Sequence, residues 1–217
     1  MAGRANIWRW ISGALAVAVL AGSESFALPP SLKELEAKPE WLFPASECPA
    51  DVIGSRRQEI RYVADGCRSR PEACLASCRN GDAADCYALG LLLQESDDAA
   101  PYAEALFLRS CKLGIDSGCT NRAVDMSARV EREAAPSTAD DRCAARTFDK
   151  VCERGDPWAC TMLGLHLAIG RGVAQDLERA LGVLPGGCRL SETDKACTAA
   201  RELIRAIEQQ RSSPPAR

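Results

Sequence analysis

Three pairs of cysteines in this chain share one spacing: Cys78 with Cys86, Cys111 with Cys119, and Cys152 with Cys160 each enclose seven residues. A fourth pair, Cys188 with Cys197, encloses eight, and the leading cysteines recur after 33, 41 and 36 residues. A period of that size is the mark of stacked helix pairs. The enclosed segments Arg79-Asn80-Gly81-Asp82, Lys112-Leu113-Gly114-Ile115-Asp116 and Glu153-Arg154-Gly155-Asp156-Pro157 each read as a helix stop followed by a helix start. Gly81, Gly114 and Gly155 suit the left-handed backbone that ends a helix. Asp82, Asp116 and Asp156 suit the cap that accepts the first free amides of the next helix, and Pro157 suits a first turn where its missing N–H costs nothing.

Two antiparallel helices joined by so short a turn bring the last turn of one beside the first turn of the next, within the roughly 4.4–6.8 Å Cα separation that a disulfide spans. Each such clamp is worth roughly 2–3 kcal/mol on the chain-entropy account. Alanine stands eight residues before a leading cysteine at Ala103, Ala144 and Ala180, and a bulky apolar residue four before it at Phe107, Phe148 and Leu184. These positions share one helical face and are expected in the core.

The N-terminus reads as an address. Arg4 and Arg9 precede an apolar run from Ile11 to Ala21, and Ser25-Phe26-Ala27 places small residues around a cleavage after Ala27. The run is shorter than the roughly 20 residues that cross a bilayer, so residues 1–27 are expected to be removed, with no stable membrane insertion afterwards. Without them the count falls from 27 Lys+Arg and 30 Asp+Glu by Arg4, Arg9 and Glu24, leaving 25 against 29. That mild acidity gives no footprint for nucleic acid. All 12 cysteines lie beyond residue 27, which in an exported chain argues for disulfides rather than metal thiolates, and for a periplasmic or secreted destination.

Residues Ala159, Leu163-Gly164, Leu167, Gly170-Arg171-Gly172-Val173, Asp176 and Arg179-Ala180 resemble a Sel-like repeat, a tetratricopeptide-related family, and the added cysteines resemble its secreted, cysteine-rich Hcp-type members. The earlier units keep less of the motif. Leu89-Gly90 preserves the Leu-Gly step but Glu95-Ser96-Asp97-Asp98 replaces the glycine loop. In the middle unit Arg122-Ala123 stands where Leu-Gly is expected, with an irregular loop from Glu131 to Asp141. The resemblance implies a right-handed α-solenoid of antiparallel helix-turn-helix repeats. Its concave groove, lined mainly by the first helix of each pair, would take a protein or peptide ligand.

On this reading residues 28–51, with five prolines, form an N-terminal tether, although Leu32, Leu35, Trp41, Leu42 and Phe43 could dock on the first helices. Residues 52–210 form the solenoid, closed by a capping helix from Glu192 to Gln210, and residues 211–217 a disordered tail. Four cysteines stay outside the recurring pairs. Cys67 with Cys74 is the favoured pairing, between helices around 52–66 and 71–79, which leaves Cys48 and Cys143 to pair across space, bridge to a partner or stay free. Arg122, Asp125 and His166 are the candidate groove residues, with a solvated helix position expected ahead of a functional role for His166.

The leading function is an exported interaction scaffold needing no cofactor and no metal. A β-lactam-binding or β-lactam-hydrolysing activity, implied by the resemblance alone, finds no Ser-x-x-Lys, Lys-Thr-Gly or Gly-x-Ser-x-Gly, so no catalytic residue is assigned. A redox or haem-linked assembly role, also implied by relatives, meets no Cys-x-x-Cys. A single histidine makes a histidine-based metal site untenable.

Overall fold

A computed structural model of the chain describes residues 30–37, 39–42, 46–58, 64–95, 99–132 and 138–212. The expected signal segment, Phe43, the tail beyond Ser212 and the centres of the two irregular loops lie outside them. The described residues are helical, with no strand. The α-helices are α1 Pro49–Val52, α2 Ala64–Ser69, α3 Pro71–Arg79, α4 Ala83–Leu93, α5 Ala100–Lys112, α6 Asp116–Arg132, α7 Thr138–Glu153, α8 Pro157–Ile169, α9 Leu177–Val183 and α10 Lys195–Ser212. Three 3₁₀ turns, Pro30–Leu35, Glu40–Leu42 and Leu184–Cys188, complete the described secondary structure. From α3 to α9 each helix packs on the next in sequence, and α10 closes against α8 and the last 3₁₀ turn.

Each of the three equal clamps bridges the end of one helix and the start of the next, with Cα separations of 4.7, 4.6 and 4.6 Å. Gly81, Gly114 and Gly155 have φ of 99°, 106° and 94°, the left-handed region that a side chain would resist. Asp82 and Asp156 act as N-caps, accepting from the amides of Asp85 and Ala159. Asp116 does not. One extra residue, Ile115, separates it from its glycine, so the helix opens on Asp116 itself and the carboxylate turns to Arg154 Nε at 2.7 Å and Arg57 Nε at 3.2 Å.

The periodic core forms as its spacing requires: Ala103, Ala144, Ala180, Phe107, Phe148 and Leu184 are all buried. The Leu-Gly step has a steric reason. A Cβ on Gly90 would come within 2.6 Å of the Phe107 ring, and one on Gly164 within 2.4 Å of Leu184, so the glycine lets the bulky residue of the following helix close in. Ala123 takes the same place opposite Phe148 and is itself buried.

Six disulfides join all 12 cysteines: the four recurring pairs, Cys67–Cys74, and Cys48–Cys143 across 95 residues. Within the segment read as a tether, Leu32, Leu35 and Leu42 are buried. Arg109 holds it in place, donating from Nη1 to the Trp41 carbonyl at 2.6 Å and stacking on the Trp41 ring 4.9 Å from its centroid. The helix expected around 52–66 is confined to Ala64–Ser69 among the described residues, because the amides of Gly54 and Gln58 bond to the end of α5 instead. The last helix starts at Lys195 rather than Glu192, where Asp194 accepts from the Ala196 amide.

Candidate functional site

His166 lies one place along α8 from the Leu163–Leu167 line, and the sequence puts it on a solvated face. The ring is 1% exposed. Phe148 of α7 packs edge-on against it, ring centroids 5.0 Å apart, and the loop after α8 folds back over it. Nδ1 stands 2.9 Å from the Arg171 carbonyl, which can only accept, so Nδ1 carries the proton and Nε2 accepts from the Ser127 hydroxyl at 3.3 Å. Burial, the largest influence, and the nearby Arg171 charge lower its pKa to about 4, against the opposing pull of the Arg171 carbonyl and Asp141. The imidazole is therefore neutral at pH 7.

Arg171 itself belongs to the Gly-Arg-Gly-Val segment. Its Nε pairs with Asp141 of α7 at 2.7 Å and its Nη2 donates to the Ser127 carbonyl of α6, so this loop staples three helices together. A Cβ on Gly172 would meet the Asp141 carbonyl at 2.0 Å, which explains the glycine that lets the loop lie so close. Ser127, Asp141 and Arg171 escape a residue-by-residue reading because no local motif announces a contact across 30 to 44 residues.

Arg122 is 2% exposed and pairs with Glu104 of α5 at 3.0 Å. Asp125, one turn on, is half-buried. The three candidate residues thus differ: Asp125 keeps some access, while Arg122 and His166 are enclosed. The Ser127–His166–carbonyl relay has the connectivity of an activated serine. Ser127 is only 3% exposed, so its hydroxyl is covered where a substrate carbonyl would have to approach. Cys67, Cys74 and Asp85 form a cluster of potential metal ligands, but both sulfurs are spent in the disulfide and are not thiolates.

Residues 48–58 form a strap laid across α5 and α7. The Ala50 amide donates to Thr147 Oγ1 at 3.1 Å, and Lys150 and Arg154 donate to the Ala50 and Gly54 carbonyls at 2.8 and 3.1 Å. The amides of Gly54 and Gln58 donate to the Cys111 and Gly114 carbonyls at 3.0 and 2.9 Å. The Cys111 carbonyl, at the end of α5, also accepts from the Gly114 amide, and the Gly114 carbonyl lies in the turn just beyond, so the strap adds to the bonds of that junction. Two glycines let the backbones cross. A Cβ on Gly54 would sit 2.6 Å from Gly114 N, and one on Gly114 would sit 1.9 Å from the Arg56 carbonyl. Side-chain pairs flank the crossing: Lys112 with Glu47, Arg146 with Asp51 at 2.6 Å, and Asp116 with Arg57.

No family model, curated protein or solved structure matches this chain.

Proposed function

We propose that the protein is an exported, disulfide-braced α-solenoid that binds a protein or peptide ligand in the cell envelope or outside the cell. The observation that carries this reading is the strap: two successive helical units already hold a peptide backbone through side-chain donors and helix-end carbonyls, largely without regard to its side chains. The equal clamps and the repeated closure of Phe107, Phe148 and Leu184 on Gly90, Ala123 and Gly164 support a stacked array in which each unit touches its neighbours and surface residues vary without disturbing the core. Six disulfides suit an oxidising compartment, and no helix among the described residues is long and apolar enough to cross a membrane.

The face of the first helices is the groove this reading assigns to a ligand. There Leu91 on α4, Val124 and Asp125 on α6, and Met162 and Leu165 on α8 are half-buried, a mixed apolar and acidic surface. A photo-crosslinker at Leu165, compared with one at the exposed Leu190, tests it in the native compartment. Crosslinks to one partner from Leu165 alone support the groove, and none from either position removes it. Intact mass should show a chain starting at residue 28 with all 12 cysteines oxidised.

A second reading, a serine hydrolase directed at β-lactams, gains one observation in the Ser127–His166 contact and is weakened by the burial of both. Turnover of a chromogenic β-lactam that disappears in Ser127→Ala would revive it.

A further inference from the structure

Five of the six disulfides join residues 7 to 9 apart and brace a turn, whereas Cys48–Cys143 joins residues 95 apart and brings the strap onto the body of the molecule. Its surroundings also differ. Cys48 is only half-buried, and the Arg146 guanidinium approaches its sulfur to 3.5 Å. A cation at that distance stabilises the thiolate that Cys48 becomes when it is expelled from a mixed disulfide, which favours the second step of thiol–disulfide exchange. Cys152 and Cys188 are half-buried as well and the other nine cysteines are buried, so what sets Cys48 apart is the guanidinium beside its sulfur and the length of chain its disulfide spans.

We propose that Cys48–Cys143 is an exchangeable gate, and that residues 48–58 are a built-in occupant of a peptide-binding face on α5 and α7 that opens when the gate is reduced. This deepens the binding reading above and rests on it for the identity of the ligand. The co-reactant is an external dithiol. Its first thiolate attacks Cys48 Sγ, the S–S bond breaks, and the Cys143 sulfur leaves as a thiolate that takes up a proton. The second thiol of the reagent then attacks its own sulfur in the mixed disulfide and expels Cys48 as a thiolate beside Arg146. The reagent ends as a cyclic disulfide, and the protein has gained two electrons and one proton, the dithiol's other proton passing to solvent while Cys48 stays a thiolate beside Arg146.

Once the covalent link is gone, only reversible contacts hold the strap, and a peptide offering the same groups competes for them. The face specifies what it accepts. Arg146 selects a carboxylate at the place of Asp51, the carbonyls of Cys111 and Gly114 require backbone amides, and the crossing over Gly114 admits only glycine at the place of Gly54. The ligand class is therefore a peptide that makes one helical turn carrying Asp or Glu, as Pro49–Val52 does, and reaches a glycine three residues after that carboxylate. The main chain tethers the strap in either state, at an effective concentration on the order of millimolar, and the disulfide adds a second anchor that a competing peptide cannot displace.

The test uses the oxidised chain with graded dithiothreitol, trapped by alkylation and mapped by peptide mass. Cys48 and Cys143 should label at least tenfold faster than the other ten cysteines, and simultaneous labelling of all twelve, or another pair reacting first, overturns the gate. In Cys48→Ser/Cys143→Ser, deuterium exchange at the Gly54 and Gln58 amides should rise at least tenfold while helix content is unchanged by circular dichroism. Unchanged exchange there also overturns the gate, since the strap then needs no lock. A fluorescent peptide of residues 46–58 with serine at position 48 should bind this variant at least tenfold more tightly than the oxidised parent, and its Gly54→Ala version should not bind. Exchange that rises without peptide binding leaves the gate standing and sinks the peptide-binding face.

Discussion

Helices α6 and α8 carry opposite chemistry at the same place in the fold. Three residues past the second clamp cysteine, α6 buries Arg122 and α8 buries Leu163, each to 2% exposure. The clamp and turn fix the backbone, and with it the direction in which that residue points, before its polarity is consulted. Leu163 then joins an apolar cluster with Phe148 and Leu184, whereas Arg122 needs the Glu104 carboxylate reaching in from α5. Position within the unit decides burial, and the neighbours must supply whatever the buried side chain demands.

Removing what the neighbour supplies breaks the comparison most forcefully. Glu104→Ala withdraws a carboxylate from an enclosed guanidinium and should cost about 3–5 kcal/mol in urea unfolding of the oxidised protein. Importing the apolar solution of α8 by the double change Arg122→Leu/Glu104→Leu should recover most of that loss, since well-packed apolar pairs often equal buried ion pairs. A loss below about 1 kcal/mol in the single variant would mean that Arg122 behaves as a surface ion pair and that the two helices are not alike in burial.

Six residues past the same cysteine, α6 carries the half-buried Asp125 and α8 the enclosed His166, which sharpens the comparison through pH. Folding lowers the His166 pKa to about 4 from an ordinary 6.5. The unfolded chain therefore takes up a proton in that interval which the folded chain refuses. Stability contributed by the neutral ring is complete above about pH 6.5 and declines as pH falls, by up to about 3 kcal/mol near pH 4. His166→Leu, the residue α4 places there as Leu92, should flatten this limb of the stability curve between pH 7 and 4. It should also lose about 1 kcal/mol at pH 7 from the Ser127 hydroxyl left without its acceptor. An acid limb unchanged by the substitution would assign the loss to other groups.

The next position tests packing alone. Gly164→Ala should cost about 2 kcal/mol by overpacking, because its methyl would meet Leu184, and Gly90→Ala should cost a similar amount against Phe107. Ala123 already carries that methyl opposite Phe148. Ala123→Gly should therefore lose about 1 kcal/mol, through backbone freedom and lost contact. Equal tolerance of alanine at all three positions would dissolve the parallel between the units.

What the sequence makes legible in this molecule is what repeats. The clamps, the left-handed glycines and the buried Ala103–Phe107 and Ala144–Phe148 faces follow from spacing, because a helix turn and a disulfide have fixed dimensions. Asp116 departs because Ile115 occupies the cap position, four after the leading cysteine, and the aspartate falls one place further on, inside the helix. His166 departs because enclosure by Phe148 and the Arg171 loop comes from other elements, which periodicity along α8 does not register. The strap is hidden for a different reason: its bonds run from backbone amides to helix-end carbonyls, and main-chain recognition leaves little mark on residue type except at Gly54.

The caps give the smallest effect and the finest comparison, between the α3–α4 turn and the α7–α8 turn. Asp82 and Asp156 follow equivalent glycines and each accepts one amide of the helix it opens. Asp82 is exposed, so its loss returns the Asp85 amide to water, and Asp82→Ala should cost about 1 kcal/mol. Asp156 is 6% exposed and also accepts from Ser117 Oγ at 2.6 Å and Thr120 Oγ1 at 3.1 Å, both on α6. Removing it takes the acceptor from the Ser117 hydroxyl and the Ala159 amide and leaves Thr120 Oγ1 only the Asp116 carbonyl, in a junction that water reaches poorly, so Asp156→Ala should cost about 2 kcal/mol. Asp156→Asn keeps an acceptor for the cap and should lose less than the alanine variant. Equal losses at Asp82 and Asp156 would mean that the cap alone matters, and that the link between the α6 and α8 units adds nothing to stability.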